Sequence, residues 1–188
     1  MNINKKPIVI TISGKMGSGK DTVAKYLKEE LEKSGRTVLI THYADLLKYI
    51  CKTFLEWDGK KDDAGRKLLQ TVGTDIFRRN DENFFCTFLV EVLNNLSWMW
   101  DFVLIPDARF QNEIECMKSI FRTISILVVR EVEVSRLTSN SEHISEHSLD
   151  GYKFDMTFEN NAGIEKVRGF SEAIASAVLC QLTNDLNK

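Results

Sequence analysis

The 188-residue chain, 43% apolar and 28% charged, has the composition of a globular protein rather than a disordered one. Its formal net charge of -2 gives no bulk attraction to polyanions, so nucleic acid is not an expected partner, while a local basic site for phosphates stays open. No apolar stretch is long enough to span a bilayer, and the four cysteines lack C-x-x-C spacing. The expectation is a cytoplasmic protein with reduced thiols and no membrane, disulfide or metal-cluster role.

In chain order, lysines precede the apolar run Ile8 to Ile12, as they would in a signal peptide. That run ends in a glycine-rich loop with no cleavage-site pattern, so Pro7 to Ser13 is read as a buried strand. Val23, Ala24, Leu27 and Leu31 recur at helical spacing in Asp21 to Lys33, and Ser34-Gly35 closes the helix. Thr37 to Thr41 is a second β-branched strand, which completes the opening of an α/β fold. Helices are then predicted over Asp45 to Trp57, Asp62 to Arg79 and Asn83 to Leu96. Phe102 to Ile105 is a third strand, Phe110 to Ser119 a helix, and Arg122 to Arg130 a further strand. Glu131 to Tyr152 is polar and serine-rich, the composition of a surface excursion. Met156 to Glu159 is a last short strand and Ile164 to Leu182 a closing amphipathic helix.

Strands alternating with helices predict a three-layer α/β fold, a mostly parallel sheet with helices on both faces. No repeat or linker divides the chain, so residues 1–188 are expected to form one domain. Its core would comprise residues 1–43, 101–130 and 153–188, with a helical excursion over 44–100 and a polar one over 131–152.

The chemistry is carried by Gly14-Lys15-Met16-Gly17-Ser18-Gly19-Lys20, a G-x-x-x-x-G-K motif between a predicted strand and a predicted helix. Glycines let successive backbone N–H groups curl around phosphate oxygens. The helix N-terminus adds positive partial charge, and a lysine here reaches the β- and γ-phosphates of a nucleotide. By itself this points to a bound nucleotide. The Ser or Thr that usually follows the lysine and binds Mg2+ is replaced by Asp21, with Thr22 next. Asp21 has two readings, a helix cap or a carboxylate that holds Mg2+ through water. Thr22 is either an α-phosphate contact or a plain first-turn residue.

From Ser18-Gly19-Lys20-Asp21-Thr22 onward the chain resembles the phage-type deoxynucleoside monophosphate kinases and, more distantly, phosphomevalonate kinases. The likeness continues in order through Ala44-Asp45-Leu46-Leu47-Lys48 and Leu69-Gln70-Thr71-Val72-Gly73-Thr74-Asp75. It resumes at Ile105-Pro106-Asp107-Ala108-Arg109, Val128-Val129-Arg130, Glu142-His143-Ile144-Ser145-Glu146 and Phe158-Glu159-Asn160-Asn161. The resemblance implies a P-loop kinase fold that uses ATP and Mg2+ to phosphorylate a small nucleotide acceptor. Residues 44–100 would then cover the acceptor, and 131–152 would form a short lid.

Within that resemblance, residues 14–22 and Asn160 would hold ATP, and Asp21 and Asp107 the metal. Asp107 and Arg109 follow the third strand, at the carboxyl edge where α/β proteins bind ligands, and the guanidinium suits a phosphate clamp. Lys20, Asp107, Arg109 and Arg130 are the expected catalytic group. Asp45, Lys48, Arg66, Gln70, Arg78, Arg109, His143 and Glu146 are expected around the acceptor. Lys48 and either Arg66 or Arg78 would face its phosphate, and Gln70 its base. Arg136 is a second lid candidate. His143 and His147 stand four apart in the order E-H-I-S-E-H rather than H-E-x-x-H, so a lid contact is expected there and not a metal site. Phe84, Phe85, Trp98 and Trp100 read as core. Other small acceptors (phosphomevalonate, dephospho-coenzyme A) and a non-catalytic nucleotide-binding module remain as alternatives, and a homodimer is left open.

Overall fold

A computed structural model describes residues 5–130 and 147–186, with side chains described up to Cys180. Five strands form one sheet: β1 (Ile8–Ser13), β2 (Val38–Ile40), β3 (Phe102–Ile105), β4 (Thr123–Val129) and β5 (Met156–Glu159). They lie in the order β2-β3-β1-β4-β5, and every pair is parallel. The connecting helices are α1 (Lys20–Lys33), α2 (Ala44–Phe54), α3 (Asp63–Gln70), α4 (Phe84–Asn95), α5 (Gln111–Ile120) and α6 (Ile164–Leu186).

The period-2 alternation of the strands assigns the two faces. Ile8, Ile10 and Ile12 of β1 pack with Val23, Leu27 and Leu31 of α1 and with Ile174 and Val178 of α6. Val9 belongs to the opposite core, with Leu47 and Cys51 of α2, Phe85 and Leu93 of α4, and Ile114 and Met117 of α5. Both layers exclude water from the sheet, which accounts for the unbroken burial of β1 and β3 and the all-apolar sequence of β3.

Chain order and sheet order part company at β1. The chain leaves β1 toward β2 on one side, then crosses from β3 to β4 on the other. The carboxyl ends of β1 and β3 therefore flank a topological switch point, where the connecting loops splay apart and leave a crevice.

The predicted strands and helices all form, within three residues at most of their ends, with two differences. The last helix runs on to Leu186. The segment read as a single helix over Asp62 to Arg79 changes its winding: α3 ends at Gln70 and the chain continues as a π-helix over Thr71–Arg78. π-type winding widens the turn and is rare, and apolar spacing does not distinguish it from an α-helix. No disulfide joins the described cysteines, and burial together with the neighbouring Cys116 pushes the Cys86 thiol up to about 12. No helix among the described residues is long and apolar enough to cross a membrane.

Candidate active site

The loop between β1 and α1 sits at the switch point. Its glycines take backbone conformations that other residues avoid: φ is 145° at Gly14 and 98° at Gly19, the N-cap of α1. The space is equally restrictive. A Cβ on Gly14 would drive into the carbonyl oxygen of Val128 and lie 2.7 Å from Ser18 Oγ, and one on Gly19 would lie 2.5 Å from Asn160 Nδ2. Asn160, just past β5, donates from Nδ2 to the Ser18 carbonyl at 2.8 Å, and its backbone N–H bonds to Val129. It thus fixes the shape of the loop from behind.

Lys20 is the first residue of α1, and its ammonium donates to the carbonyls of Gly14 (2.6 Å) and Lys15 (2.9 Å). The Ser18 hydroxyl is buried and has no hydrogen-bond partner among the described residues. A buried orphan hydroxyl, glycines that keep the backbone bare and a helix N-terminus together fit a phosphate group.

Asp107, after β3, has a structural task. Its Oδ1 accepts the N–H of Tyr43 at 2.9 Å and its Oδ2 that of Ala44 at 3.0 Å, which caps α2 from outside the helix. The metal role expected of Asp107 would have to share these oxygens. Asp21 keeps an open carboxylate, 83% exposed and 3.6 Å from His42 Nε2, and makes no side-chain cap to α1. No group of three potential metal ligands occurs among the described residues. The exposed carboxylate of Asp21 beside the phosphate loop is a donor of the kind that fits Mg2+, which nucleotide enzymes hold through phosphates, water and one or two carboxylates.

Burial raises the Asp107 carboxyl above its usual range, against His42, the two N–H bonds and Lys48, which lower it. The folded protein therefore keeps that proton to higher pH than the unfolded chain. The contribution to stability is complete below the unfolded value of 3.8 and is lost as pH rises through the folded value. Asp107→Asn keeps one cap acceptor and cannot ionise. Its melting temperature relative to wild type is expected to improve steadily from about pH 4 upward. Thermal melts of the nucleotide-free proteins test this, and a difference that does not change with pH would refute it.

Between the loop and the helices α2, α3 and α5 lies a cavity of about 470 Å³. Lys20, Lys48, Lys61, Arg66, Arg78 and Arg109 line it, against Asp21, Asp107 and Glu113, so its field is net positive. Of the residues expected around the acceptor, Lys48, Arg66, Gln70, Arg78 and Arg109 all meet here. Asp45 does not line the cavity. It ion-pairs with Lys48 at 2.8 Å and accepts the His42 N–H at 2.9 Å, holding Lys48 in place. Gly73 of the π-helix rests on Leu47 of α2, where a Cβ would lie 2.8 Å from Leu47 Cδ2. Arg130, at the exposed end of β4, lines a separate cavity of about 230 Å³ with Gly14, Lys15 and Arg109. His143, Glu146 and Arg136 lie outside the described residues.

The sequence reading missed Lys61, Phe110 and Glu113. Glu113 is 1% exposed, and burial raises its carboxyl above the usual range while Arg78 and two backbone N–H groups pull it down. Its Oε2 accepts from Arg109 N (2.7 Å) and Phe110 N (3.1 Å) at the start of α5, and its Oε1 from Arg78 at 2.5 Å. A signal was available: a Glu three residues past the start of a predicted helix is the residue that reaches back to cap it.

The glycine-rich loop at the switch point and the parallel 2-3-1-4-5 sheet define a P-loop kinase fold. The family model for deoxynucleotide monophosphate kinases matches residues 40–169, more than half of the chain. The chain belongs to the deoxynucleotide monophosphate kinase family, a family of phosphotransferases. Among solved structures, APE1195 is similar at 16% identity and a TM-score of 0.57, covering 93% of this chain and 97% of its own. The Mycobacterium tuberculosis APS kinase CysC in complex with AMPPNP and APS is similar at 13% identity and a TM-score of 0.52, covering 95% and 99%. At these identities the likeness concerns the fold. Curated protein sequences contain no match to the chain.

Proposed function

We propose that the protein is a deoxynucleoside monophosphate kinase that transfers the γ-phosphoryl group of ATP to a dNMP, giving ADP and dNDP. One observation carries the reading: Lys20 and Asp21 of the phosphate loop open onto the same cavity as Lys48, Arg66 and Arg109. Donor and acceptor phosphates would thereby meet across the carboxyl edge of β1 and β3.

The residues have separate tasks in this reaction. Residues 14–22 wrap the donor phosphates, and Lys20 leaves its parking place on the loop carbonyls to reach the β- and γ-phosphates. Arg109 and Arg66 hold the acceptor phosphate. Arg130 and Lys15 stand beside the loop to balance charge on the transferring group. Asp21, an exposed carboxylate at the start of α1, would hold Mg2+ together with the nucleotide, and the metal would supply neutralisation of phosphate charge. No strong general base is required, because the attacking oxygen of the acceptor phosphate is already anionic at neutral pH. That oxygen forms a bond to the γ-phosphorus as the bond to the β,γ-bridging oxygen breaks and ADP leaves. Positioning and charge neutralisation supply the rate.

The test is a coupled ADP-release assay with ATP, Mg2+ and a panel of dNMPs, NMPs, phosphomevalonate and dephospho-coenzyme A. Turnover on one or more dNMPs above the others is the expected result. Turnover confined to phosphomevalonate or dephospho-coenzyme A, or ATP binding with no turnover on any acceptor, would overturn it.

A further inference from the structure

The cationic side chains of the large cavity are not equivalent, and their partners sort them. Arg66 donates from Nε to the Lys61 carbonyl at 2.9 Å, and its NH1 lies 3.8 Å from Met16 Sδ. Neither partner takes its charge, and Met16 is part of the phosphate loop. Among the described residues no carboxylate pairs with Arg66, which brings its guanidinium to the loop end of the cavity.

Arg78 is held differently. It is the last residue of the π-helix, its side chain is 14% exposed, and it pairs with Glu113 at 2.5 Å. Its guanidinium stacks on Phe110, with 4.3 Å to the ring centroid, and faces Phe85 at 5.1 Å. A second, longer bond runs to the Glu82 carbonyl at 3.4 Å. A guanidinium has more N–H groups than these two bonds use, and Arg78 is part of the cavity wall. The buried carboxylate cancels most of its long-range field. What remains is a flat set of donors in fixed orientation between aromatic rings, which suits the edge of a planar ring better than a dianionic phosphate.

We propose that Arg78 contacts the base of the acceptor nucleotide, that Arg66 contacts its phosphate, and that Glu113 is the positioning residue that aims Arg78. Glu113 holds the start of α5 through Arg109 N and Phe110 N with its other oxygen. One buried carboxylate thus keeps the base-facing arginine in register with the backbone of the phosphate-facing Arg109. The inference rests on the dNMP kinase reading for the nature of the acceptor, and it assigns the two ends of the pocket.

The experiment compares two probes that differ only in the base: the dNMP turned over fastest in the panel, and deoxyribose 5-phosphate as a competitive inhibitor without a base. In Arg78→Lys the KM for the dNMP is expected to rise about tenfold or more, roughly the loss of one oriented contact, while the Ki of deoxyribose 5-phosphate stays within about twofold. Arg66→Ala should weaken both probes together. Glu113→Gln, which leaves the arginine in place and removes its anchor, should reproduce the selective loss of Arg78→Lys. Parallel weakening of both probes in Arg78→Lys, or no change in either, would overturn the assignment.

If either variant fails to fold, the paired exchange of Arg78 and Glu113 for glutamines supplies a neutral, hydrogen-bonded replacement for the same comparison. On wild-type protein, the assigned Arg78 side-chain N–H signal should move on adding the dNMP and stay put on adding deoxyribose 5-phosphate. Absence of turnover on every dNMP would refute the kinase reading by itself. The two probes can then still be compared by calorimetry, where equal affinities would refute the base contact.

Discussion

Lys20→Ala is expected to lower kcat/KM by about a thousandfold or more, close to 4 kcal/mol of transition-state stabilisation. Lys20 is 7% exposed and begins α1, so its ammonium has little freedom beyond the choice between loop carbonyls and phosphate oxygens. In the structure it takes the carbonyls of Gly14 and Lys15. Phosphate oxygens, carrying formal charge, are stronger acceptors and draw it across. The alanine variant loses a side chain that, on the proposed reaction, follows charge as it moves from the γ-phosphoryl group to ADP. The fold should survive, because Gly19, Asn160 and the buried face of α1 do not depend on the ammonium. Unchanged melting with activity lost in the coupled assay is therefore the expected pair of results. Residual activity within about tenfold of wild type would mean that the loop does not hold the reacting phosphates.

Gly14→Ala has the largest expected effect on structure. The substitution meets two independent obstacles, a φ of 145° that L-residues avoid and the carbonyl oxygen of Val128 in the space the methyl group would need. That carbonyl is backbone of β4, which pairs with β1 over Val9 to Ser13, so it cannot swing aside as a side chain would. Either the loop lifts off the sheet or the β1–β4 register distorts. The cost is expected at about 3 kcal/mol or more, a fall in melting temperature of about 10 °C, together with loss of ATP binding. Gly17→Ala is the internal comparison. Its φ is 80°, but nothing lies within 4 Å of the added Cβ, so only backbone strain of about 1 kcal/mol applies. Equal destabilisation of the two variants would show that the contact with β4 is not what restricts Gly14.

The strands and most helices were legible because their signals are local. Ile8 to Ser13 announces a buried parallel strand through a β-branched run, and Val23, Ala24, Leu27 and Leu31 announce a helix face through spacing. The phosphate loop was legible because its chemistry needs glycine at fixed intervals. The π-helix of Thr71–Arg78 was not, since its winding answers to a neighbour: Gly73 must settle against Leu47 of α2, a contact between segments that no local pattern reports. Glu113 was overlooked for a related reason. A glutamate in the first turn of a helix usually faces water, and it is the arrival of Arg78 from another element, beside the two backbone N–H groups, that makes its burial tolerable. Asp107 was placed at the crevice correctly, yet its two bonds to Tyr43 and Ala44 depend on α2 crossing over β3. Several residues that line the cavity could be named from the sequence, and the buried Glu113 that ties two of them together could not.

The bond between Asn160 and Ser18 spans 142 positions of chain. The phosphate loop leaves the ribosome well before its rear support does. A nascent chain that ends before β5 can form β1, α1 and the acceptor-side helices, but its loop lacks the amide that holds the Ser18 carbonyl in place. Nucleotide affinity should therefore arrive late and abruptly during synthesis, after the strand at the far edge of the sheet has docked. Incomplete products would carry the glycine-rich motif in full and still leave cellular ATP largely unbound.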